Sequence, residues 1–251
     1  MRFPNSLIHV TTMLSKNSKI GRLSVIEKQL TAADPALGRI ISAVIARIGP
    51  QRVAPSRTSP FEALVRAVVY QSVSGKAAAA IFARLSEVVT KPLAPSKILA
   101  LRTQALTKAG LSRTKARTIR ELARWFTSNR KLAKALRELP DDEVIDLLTK
   151  IPGIGAWTVN VLLIFNLGRL DVMPAVDSGI RRGVQLADGL HVIATPKQVI
   201  QRSQVWTPYR SLASIYLWQA TKLKLGPSDL VQEQRLPPRR SFRRNSIFHT
   251  E

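Results

Sequence analysis

Apolar residues recur along this chain with the spacing of buried helix faces. One such stripe comprises Leu37, Ile40, Ile41, Val44, Ile45 and Ile48. The same three-and-four spacing returns in most segments up to residue 224, whereas the alternating pattern of strands is nearly absent. The pattern therefore predicts an all-α protein of about ten helices.

Short polar signals mark where several of these helices begin. Asp34-Pro35, Ser59-Pro60 and Thr195-Pro196 each place a capping side chain directly before a proline. The side-chain oxygen can accept a hydrogen bond from the first turn, and proline at that point loses no helical hydrogen bond. Ser112 is a further predicted N-cap, and the last strong helix is predicted to run from about residue 207 to Lys224.

A tight turn between two helical patterns is the most informative local feature. It reads Ile151-Pro152-Gly153-Ile154-Gly155. Both glycines can adopt positive φ and allow another backbone to come close. Because a turn that opens a helix exposes unpaired N–H groups, this segment is a candidate phosphate-binding site. An ordinary tight turn is the alternative.

This turn belongs to a longer set of motifs that resembles one family. The set comprises residues 148–158, the segment Asp-Val-Met-Pro-Ala-Val-Asp at 171–177, and further matches in residues 61–77, 109–113 and 206–218. In this order they resemble the helix-hairpin-helix (HhH-GPD) DNA glycosylases, and within them the 3-methyladenine DNA glycosylase II branch. The resemblance covers roughly residues 30 to 224, most of the chain.

The resemblance implies a two-lobed helical fold with a DNA-binding cleft between the lobes. The hairpin lobe would be residues 61–184, and the second lobe would combine residues 26–60 with 185–224. Residues 1–25 are interpreted as a flexible basic segment, with a transit-like leader or an over-extended start before Met13 as alternatives. Residues 225–251 are predicted to be a disordered basic tail.

Asp177 is the catalytic candidate that the resemblance implies. Cleavage of an N-glycosidic bond builds positive charge on the sugar, and a carboxylate beside it can stabilise that charge and orient water. From spacing alone, Asp177 is better explained as the N-cap of the helix that follows, and both roles are compatible. Asp171, nearby, is interpreted as a turn residue.

The resemblance also assigns a pocket for the base. Trp157, Trp218 and Tyr70 would border it, since electron-rich rings attract a cationic base. Packing in the core is the alternative for these rings. Bifunctional relatives carry a lysine where Trp157 stands, and tryptophan has no amine nucleophile. Base removal by water, without strand-cleaving lyase activity, is therefore expected.

DNA contacts are expected at two places. In the hairpin the predicted contacts are Ile151, Pro152, Gly153, Ile154, Gly155 and Thr158. At a polar corner between two helices they are Gln71, Ser72 and Ser74. The resemblance implies that this corner fills the gap left by a flipped base; many relatives have glutamine or leucine where the smaller Ser72 stands, so Gln71 or Tyr70 could share that role. A solvated corner is the alternative. Family members commonly bind a sodium or potassium ion at this hairpin, and the resemblance places it on the main-chain carbonyls of Thr149, Ile151 and Ile154.

Composition narrows the partners and cofactors. Lys plus Arg number 39 against 16 acids, a net charge of +23, which favours a polyanion such as nucleic acid. A membrane surface would also attract this charge, but no apolar run reaches spanning length. The chain has no cysteine, which excludes disulfides and an iron–sulfur cluster. Arg113, Lys115, Arg181 and Arg182 are candidate phosphate contacts or solvated charges.

Together with these observations, the resemblance implies a monofunctional DNA glycosylase that excises alkylated bases of the 3-methyladenine type from damaged double-stranded DNA and leaves an abasic site. The same enzyme class acting on uracil, hypoxanthine or oxidised guanine is one alternative. A non-catalytic hairpin DNA-binding protein is another, from a different class. The protein is expected to act as a monomer, with DNA inside the cell and with no membrane partner.

Overall fold

The structure, a computed structural model, describes residues 23–90 and 92–231, and every regular element in these ranges is helical. The α-helices in chain order are α1 (Val25–Ala33), α2 (Pro35–Ile48), α3 (Pro60–Tyr70), α4 (Gly75–Val89), α5 (Pro95–Ala100), α6 (Thr103–Lys108), α7 (Arg113–Ser128), α8 (Arg130–Ala135), α9 (Asp141–Thr149), α10 (Ala156–Leu162), α11 (Ser178–Asp188), α12 (Pro196–Arg202), α13 (Arg210–Lys222) and α14 (Pro227–Val231). A π-helical turn, Leu163–Leu167, extends α10, and a 3-10 turn, Ser203–Trp206, follows α12. The predicted all-α class is confirmed. The predicted number of about ten helices was too low, because helices as short as α5 and α6 show little hydrophobic periodicity in the sequence.

The predicted helix starts are confirmed at atomic detail. Asp34 accepts hydrogen bonds from the backbone N–H groups of Ala36 and Leu37, at 3.0 and 3.1 Å. Ser112 caps α7 in the same way, and Thr195 forms a reciprocal capping box on α12. These caps fix where α2, α7 and α12 begin.

Helix packing divides the described residues into two groups. In the first, α7 packs against α3 and α5, and α10 packs against α3 and α9. In the second, α13 packs against α2 and α11, and α1 packs against α2. Helix α11 thus belongs with the second group, although the predicted hairpin lobe extended to residue 184. The reason is local, because Gly183 lies so close to Leu217 of α13 that an added Cβ would be 2.7 Å from the leucine Cβ.

The predicted tail also needs correction. Residues 227–231 form α14, which packs against α2, and Asp229 forms an ion pair with Arg47. Leu230 is buried, so this segment is held by apolar contact as well as by charge. At the other end, α1 begins at Val25 with a capping box between Ser24 and Glu27. The remaining predictions for the two terminal segments lie outside the described residues.

One buried carboxylate ties the second group together. Asp34 caps α2, receives a hydrogen bond from the Trp206 indole at 2.7 Å, and pairs with Arg202 at 2.7 Å. Burial alone would raise the pKa of Asp34, but the hydrogen bonds from Arg202, Trp206 and the Leu37 N–H outweigh it and lower that pKa below its ordinary value.

None of the helices in the described ranges is long and apolar enough to cross a membrane.

Candidate active site

Asp177 lies where the two groups of helices meet. It follows the loop of residues 168–176 and forms the N-cap of α11, with Oδ1 accepting the N–H groups of Gly179 at 2.7 Å and Ile180 at 2.9 Å. Capping alone was one interpretation of this residue, and the cap is present. It holds the carboxylate at the positive end of the α11 dipole.

Two tryptophan indoles complete the surroundings of this carboxylate. Trp218 of α13 donates its Nε1–H to Oδ1 at 2.8 Å, and Trp157 of α10 donates its Nε1–H to Oδ2 at 2.8 Å. Asp177 is only 2% exposed. Four N–H donors therefore fix the orientation of the Asp177 carboxylate: two belong to the backbone of α11, and two are indoles from the first and second groups of helices. Among the described residues, Oδ2 accepts the Trp157 bond alone, so this oxygen keeps lone pairs for a further partner.

The loop that carries Asp177 is anchored to the start of α13. Arg210 binds Asp171 through two hydrogen bonds of 2.7 and 2.8 Å, and the Ser211 hydroxyl accepts the Val172 N–H at 2.9 Å. The hydrogen bonds from Arg210 lower the pKa of Asp171 below its ordinary value. Asp171 is thus a paired anchor of the loop and not merely a turn residue.

The structure argues against base stacking by two of the three predicted pocket rings. Trp218 is 1% exposed, and its ring stacks on Phe165 at 5.5 Å between centroids. Tyr70 is 2% exposed in the core, with the Arg66 guanidinium over its ring. Neither ring presents a free face, because both are enclosed by helix packing. Trp157 is only partly buried and stays the predicted pocket ring.

The hairpin turn is built against α7. Gly153 has a φ of +86°, and an added Cβ would lie 2.0 Å from the Thr118 hydroxyl oxygen. Gly155 was expected to be able to adopt positive φ, but it is extended, with a φ of −101°. The N–H groups of Gly153, Gly155 and Ala156 have no acceptor among the described residues. Their phosphate contact stays a prediction that this geometry permits.

The polar corner and the hairpin are joined directly. The Gln71 amide donates to the Thr158 hydroxyl at 2.9 Å and to the Gly153 carbonyl at 3.3 Å. Thr158 was predicted to contact DNA through its backbone N–H, but that N–H donates to the Gly155 carbonyl at 2.9 Å, and the residue is only 1% exposed. Ser72 and Ser74 are exposed, and Ser74 also caps α4.

The basic candidates divide into two kinds. The Lys115 ammonium donates to the carbonyls of Val69 and Gln71, and the Arg181 Nε donates to the Ala194 carbonyl at 2.5 Å. These two cations are engaged inside the protein. Arg113 and Arg182 are exposed, so they remain the candidates for phosphate contact.

The predicted monovalent cation site fits the turn. The carbonyls of Thr149 and Ile154 receive no hydrogen bond from other described residues, and the Ile151 carbonyl accepts one, from the Ile154 N–H at 3.0 Å. Carbonyl oxygens have two lone pairs, so all three could ligate a hard cation. The ion itself stays a prediction.

Several residues that build this site carry no signal in the sequence. Arg210 and Asp171 are 39 positions apart, and Thr118 reaches the hairpin from another helix. Phe165 stacks on Trp218, 53 positions further along the chain, and no sequence pattern indicates that contact. Such contacts come from tertiary packing, which helical periodicity does not encode.

The fold and the site together define an all-helical protein that holds a buried carboxylate beside a tight turn between two helices. A family model described as "HhH-GPD superfamily base excision DNA repair protein" matches residues 65–208. The chain is 34% identical over 211 residues to DNA-3-methyladenine glycosylase 1 of Schizosaccharomyces pombe, covering 83% of this chain and 92% of that protein. It is 28% identical over 196 residues to DNA-3-methyladenine glycosylase 2 of Escherichia coli, covering 72% and 65%.

Solved structures agree with these matches. A 3-methyladenine DNA glycosylase of S. pombe in complex with abasic DNA superposes with a TM-score of 0.72 at 33% identity, covering 79% of this chain and 97% of that one. A DNA-3-methyladenine glycosidase of Bacillus halodurans gives a TM-score of 0.67 at 32% identity, covering 82% and 94%. This protein belongs to the HhH-GPD superfamily of base excision DNA repair proteins.

Proposed function

We propose that this protein is a DNA glycosylase that hydrolyses the N-glycosidic bond of alkylated bases, of the 3-methyladenine type, in duplex DNA. The observation that carries the proposal is the Asp177 carboxylate, held by one indole from each lobe directly beside the hairpin. The named activities of relatives that cover most of this chain support the substrate class. An abasic site would be the DNA product.

The carboxylate would act on the sugar. As the bond to the base lengthens, positive charge develops at the anomeric carbon, and Oδ2 of Asp177 has lone pairs to face it. The same oxygen can orient the attacking water and accept its proton. Because the four N–H donors fix the carboxylate beforehand, little reorganisation is needed when charge develops.

Base departure needs little acid catalysis for this substrate class. An alkylated purine already carries positive charge and leaves as a neutral base. The partly buried Trp157 ring would contact that cationic base and so favour it over undamaged purines. One carboxylate can then suffice, and among the described residues Asp177 is the acid that both indoles contact.

We further propose that the enzyme is monofunctional. Strand cleavage by lyase action requires an amine that attacks the sugar, and Trp157 supplies an indole N–H that is already bound to Asp177. A monovalent cation on the hairpin carbonyls of Thr149, Ile151 and Ile154 would add positive charge for a DNA phosphate. We take the acting species to be the monomer.

The test of the monofunctional mechanism is a strand-cleavage assay on methylated duplex DNA with and without hot alkali. Breaks are expected only in the alkali-treated samples. An abasic site leaves the strand intact until hot alkali causes elimination of the phosphate on its 3′ side. Borohydride is expected to trap no protein–DNA adduct. Breaks without alkali, together with a trapped adduct that persists after repurification, would show an amine nucleophile and contradict the proposal.

A further inference from the structure

The corner of residues 71–74 adopts a strained conformation. Helix α3 ends at Tyr70, and the exposed Ser72 that follows has a φ of +54°, in the left-handed region. A residue with a Cβ pays roughly 1 kcal/mol to occupy that region, so neighbouring contacts must hold it there. Strain of this kind on an exposed corner is common where a protein grips a ligand.

Lys115 supplies one of those contacts. Its Nζ donates to the carbonyl of Val69 at 2.8 Å and to that of Gln71 at 2.6 Å. Both carbonyls lie at the C-terminal end of α3, where the helix leaves orphan acceptors and partial negative charge. The side chain is partly buried, and this burial lowers the pKa of Lys115 below its ordinary value. A partly buried cation that bridges two carbonyls acts as a structural clamp.

Gln71 supplies the second contact. Its side-chain amide reaches Thr158 and Gly153, so the corner is tied to the hairpin turn. Because this amide is engaged inside the protein, Gln71 is poorly placed to fill a gap in DNA. Ser72 and Ser74 are the exposed residues of the corner; Ser74 caps α4, and Ser72 occupies the strained position.

We propose that Lys115 is a positioning residue that holds the corner in the shape with which Ser72 enters the gap left by a flipped base. The inference rests on the proposed function, since it requires a base to leave the stack. Lys115 acts through the backbone of residues 69–71 and does not contact the reacting atoms. Without the clamp, the corner would relax from its strained form, and the cost of keeping the gap open would rise.

The experiment compares two duplexes of the same sequence, one undamaged and one with a stable abasic analogue beside a 2-aminopurine reporter. The full chain is titrated as wild type, Lys115→Met, Lys115→Arg and Arg117→Met. Arg117 is an exposed cation on the same helix and serves as the matched charge control. Lys115→Met is expected to weaken binding of the analogue about tenfold, with a parallel loss of the fluorescence rise, since it deletes two charge-assisted hydrogen bonds.

Binding of undamaged duplex by Lys115→Met is expected to match that of Arg117→Met within about twofold, because both variants lose one charge. Lys115→Arg is expected to recover most of the selectivity, because a guanidinium can also donate to two carbonyls. If Lys115→Met lost the same affinity for both duplexes, Lys115 would be an ordinary phosphate contact and the proposal would be overturned. Unchanged affinity for the abasic analogue would also overturn it. If wild type fails to distinguish the duplexes, the proposed function itself is wrong.

A second variant keeps the test decisive should Lys115→Met not fold. Gln71→Met removes the tie to the hairpin and leaves the clamp in place. It is expected to show the same selective loss, at about threefold, because one neutral side-chain tie is removed. An unchanged ratio between the two duplexes in this variant would contradict the role of the held corner.

Discussion

Replacement of Asp177 by asparagine is expected to slow release of an alkylated base by about 10²–10³-fold, the scale of removing a group that stabilises charge in the transition state. Asparagine caps helices as well as aspartate does, so α11 should persist. Its Oδ1 can still accept the Gly179, Ile180 and Trp218 N–H groups. Its NH₂ group, however, cannot accept the Trp157 indole N–H, and the negative charge is gone.

Single-turnover rates on methylated duplex, with protein in excess over DNA, give the cleanest comparison. Asp188→Asn is the matched control, because it removes a carboxylate at the other end of α11, where Asp188 pairs with Arg202, and the asparagine oxygen can still accept from Arg202, so the wild-type rate should be kept. Binding of an abasic analogue by Asp177→Asn should stay within about tenfold of wild type. A variant that retains more than about a tenth of the wild-type rate would show that Asp177 is a cap and little else.

Gly153→Ala is expected to destabilise the protein by about 2–4 kcal/mol and to weaken duplex binding about tenfold or more. Two costs combine at this position. The φ of +86° is unfavourable for alanine, and the new Cβ would overlap the Thr118 side chain, with 2.0 Å to its hydroxyl oxygen and 2.9 Å to its methyl carbon. Thr118 is buried and cannot easily move aside. The turn must shift, and its free N–H groups move with it.

The chain offers a control that separates these two costs. Gly49 has a φ of +81°, and nothing lies within 4 Å of a Cβ added there. Gly49→Ala should therefore cost about 1 kcal/mol in urea denaturation and leave duplex binding unchanged. In the Gly153 variant, adding Thr118→Ala should restore part of the lost stability. Equal costs for the two glycine variants would contradict the close packing of the hairpin on α7.

Short-range chemistry made much of the fold predictable. Asp34 next to Pro35, and Ser112 before α7, are capping signals that need no knowledge of distant residues, and the caps are found there. Asp177 is similar, since its cap to Gly179 and Ile180 is local. The resemblance to a known family added the expectation of catalysis, which a cap alone does not give.

The surroundings of Asp177 could not be predicted in the same way. Trp157 lies 20 positions before it and Trp218 lies 41 positions after it, and they meet only because α10 and α13 converge on the N-terminus of α11. The family resemblance suggested that the Trp218 ring borders the base pocket. The structure shows instead a buried ring whose N–H holds the carboxylate.

Charged side chains were the least predictable part of the site. Lys115 reads as one more basic residue in a chain with 39 of them, yet it clamps two carbonyls on another helix. Which cation is engaged and which is free depends on packing across the protein. The predicted end of the hairpin lobe at residue 184 differs from the observed packing for the same reason, because the helices that contact α11 belong to the second group.

The central claim, that Asp177 makes this protein a glycosylase for alkylated bases, is tested most directly by identifying the released product. Methylated duplex DNA is incubated with the full chain at neutral pH, and small molecules are separated from DNA and identified by mass spectrometry. The account predicts free 3-methyladenine at a rate far above spontaneous loss, from DNA whose strands stay intact, and only background release with Asp177→Asn. Tight duplex binding with no base released would contradict it and would favour a non-catalytic hairpin DNA-binding protein.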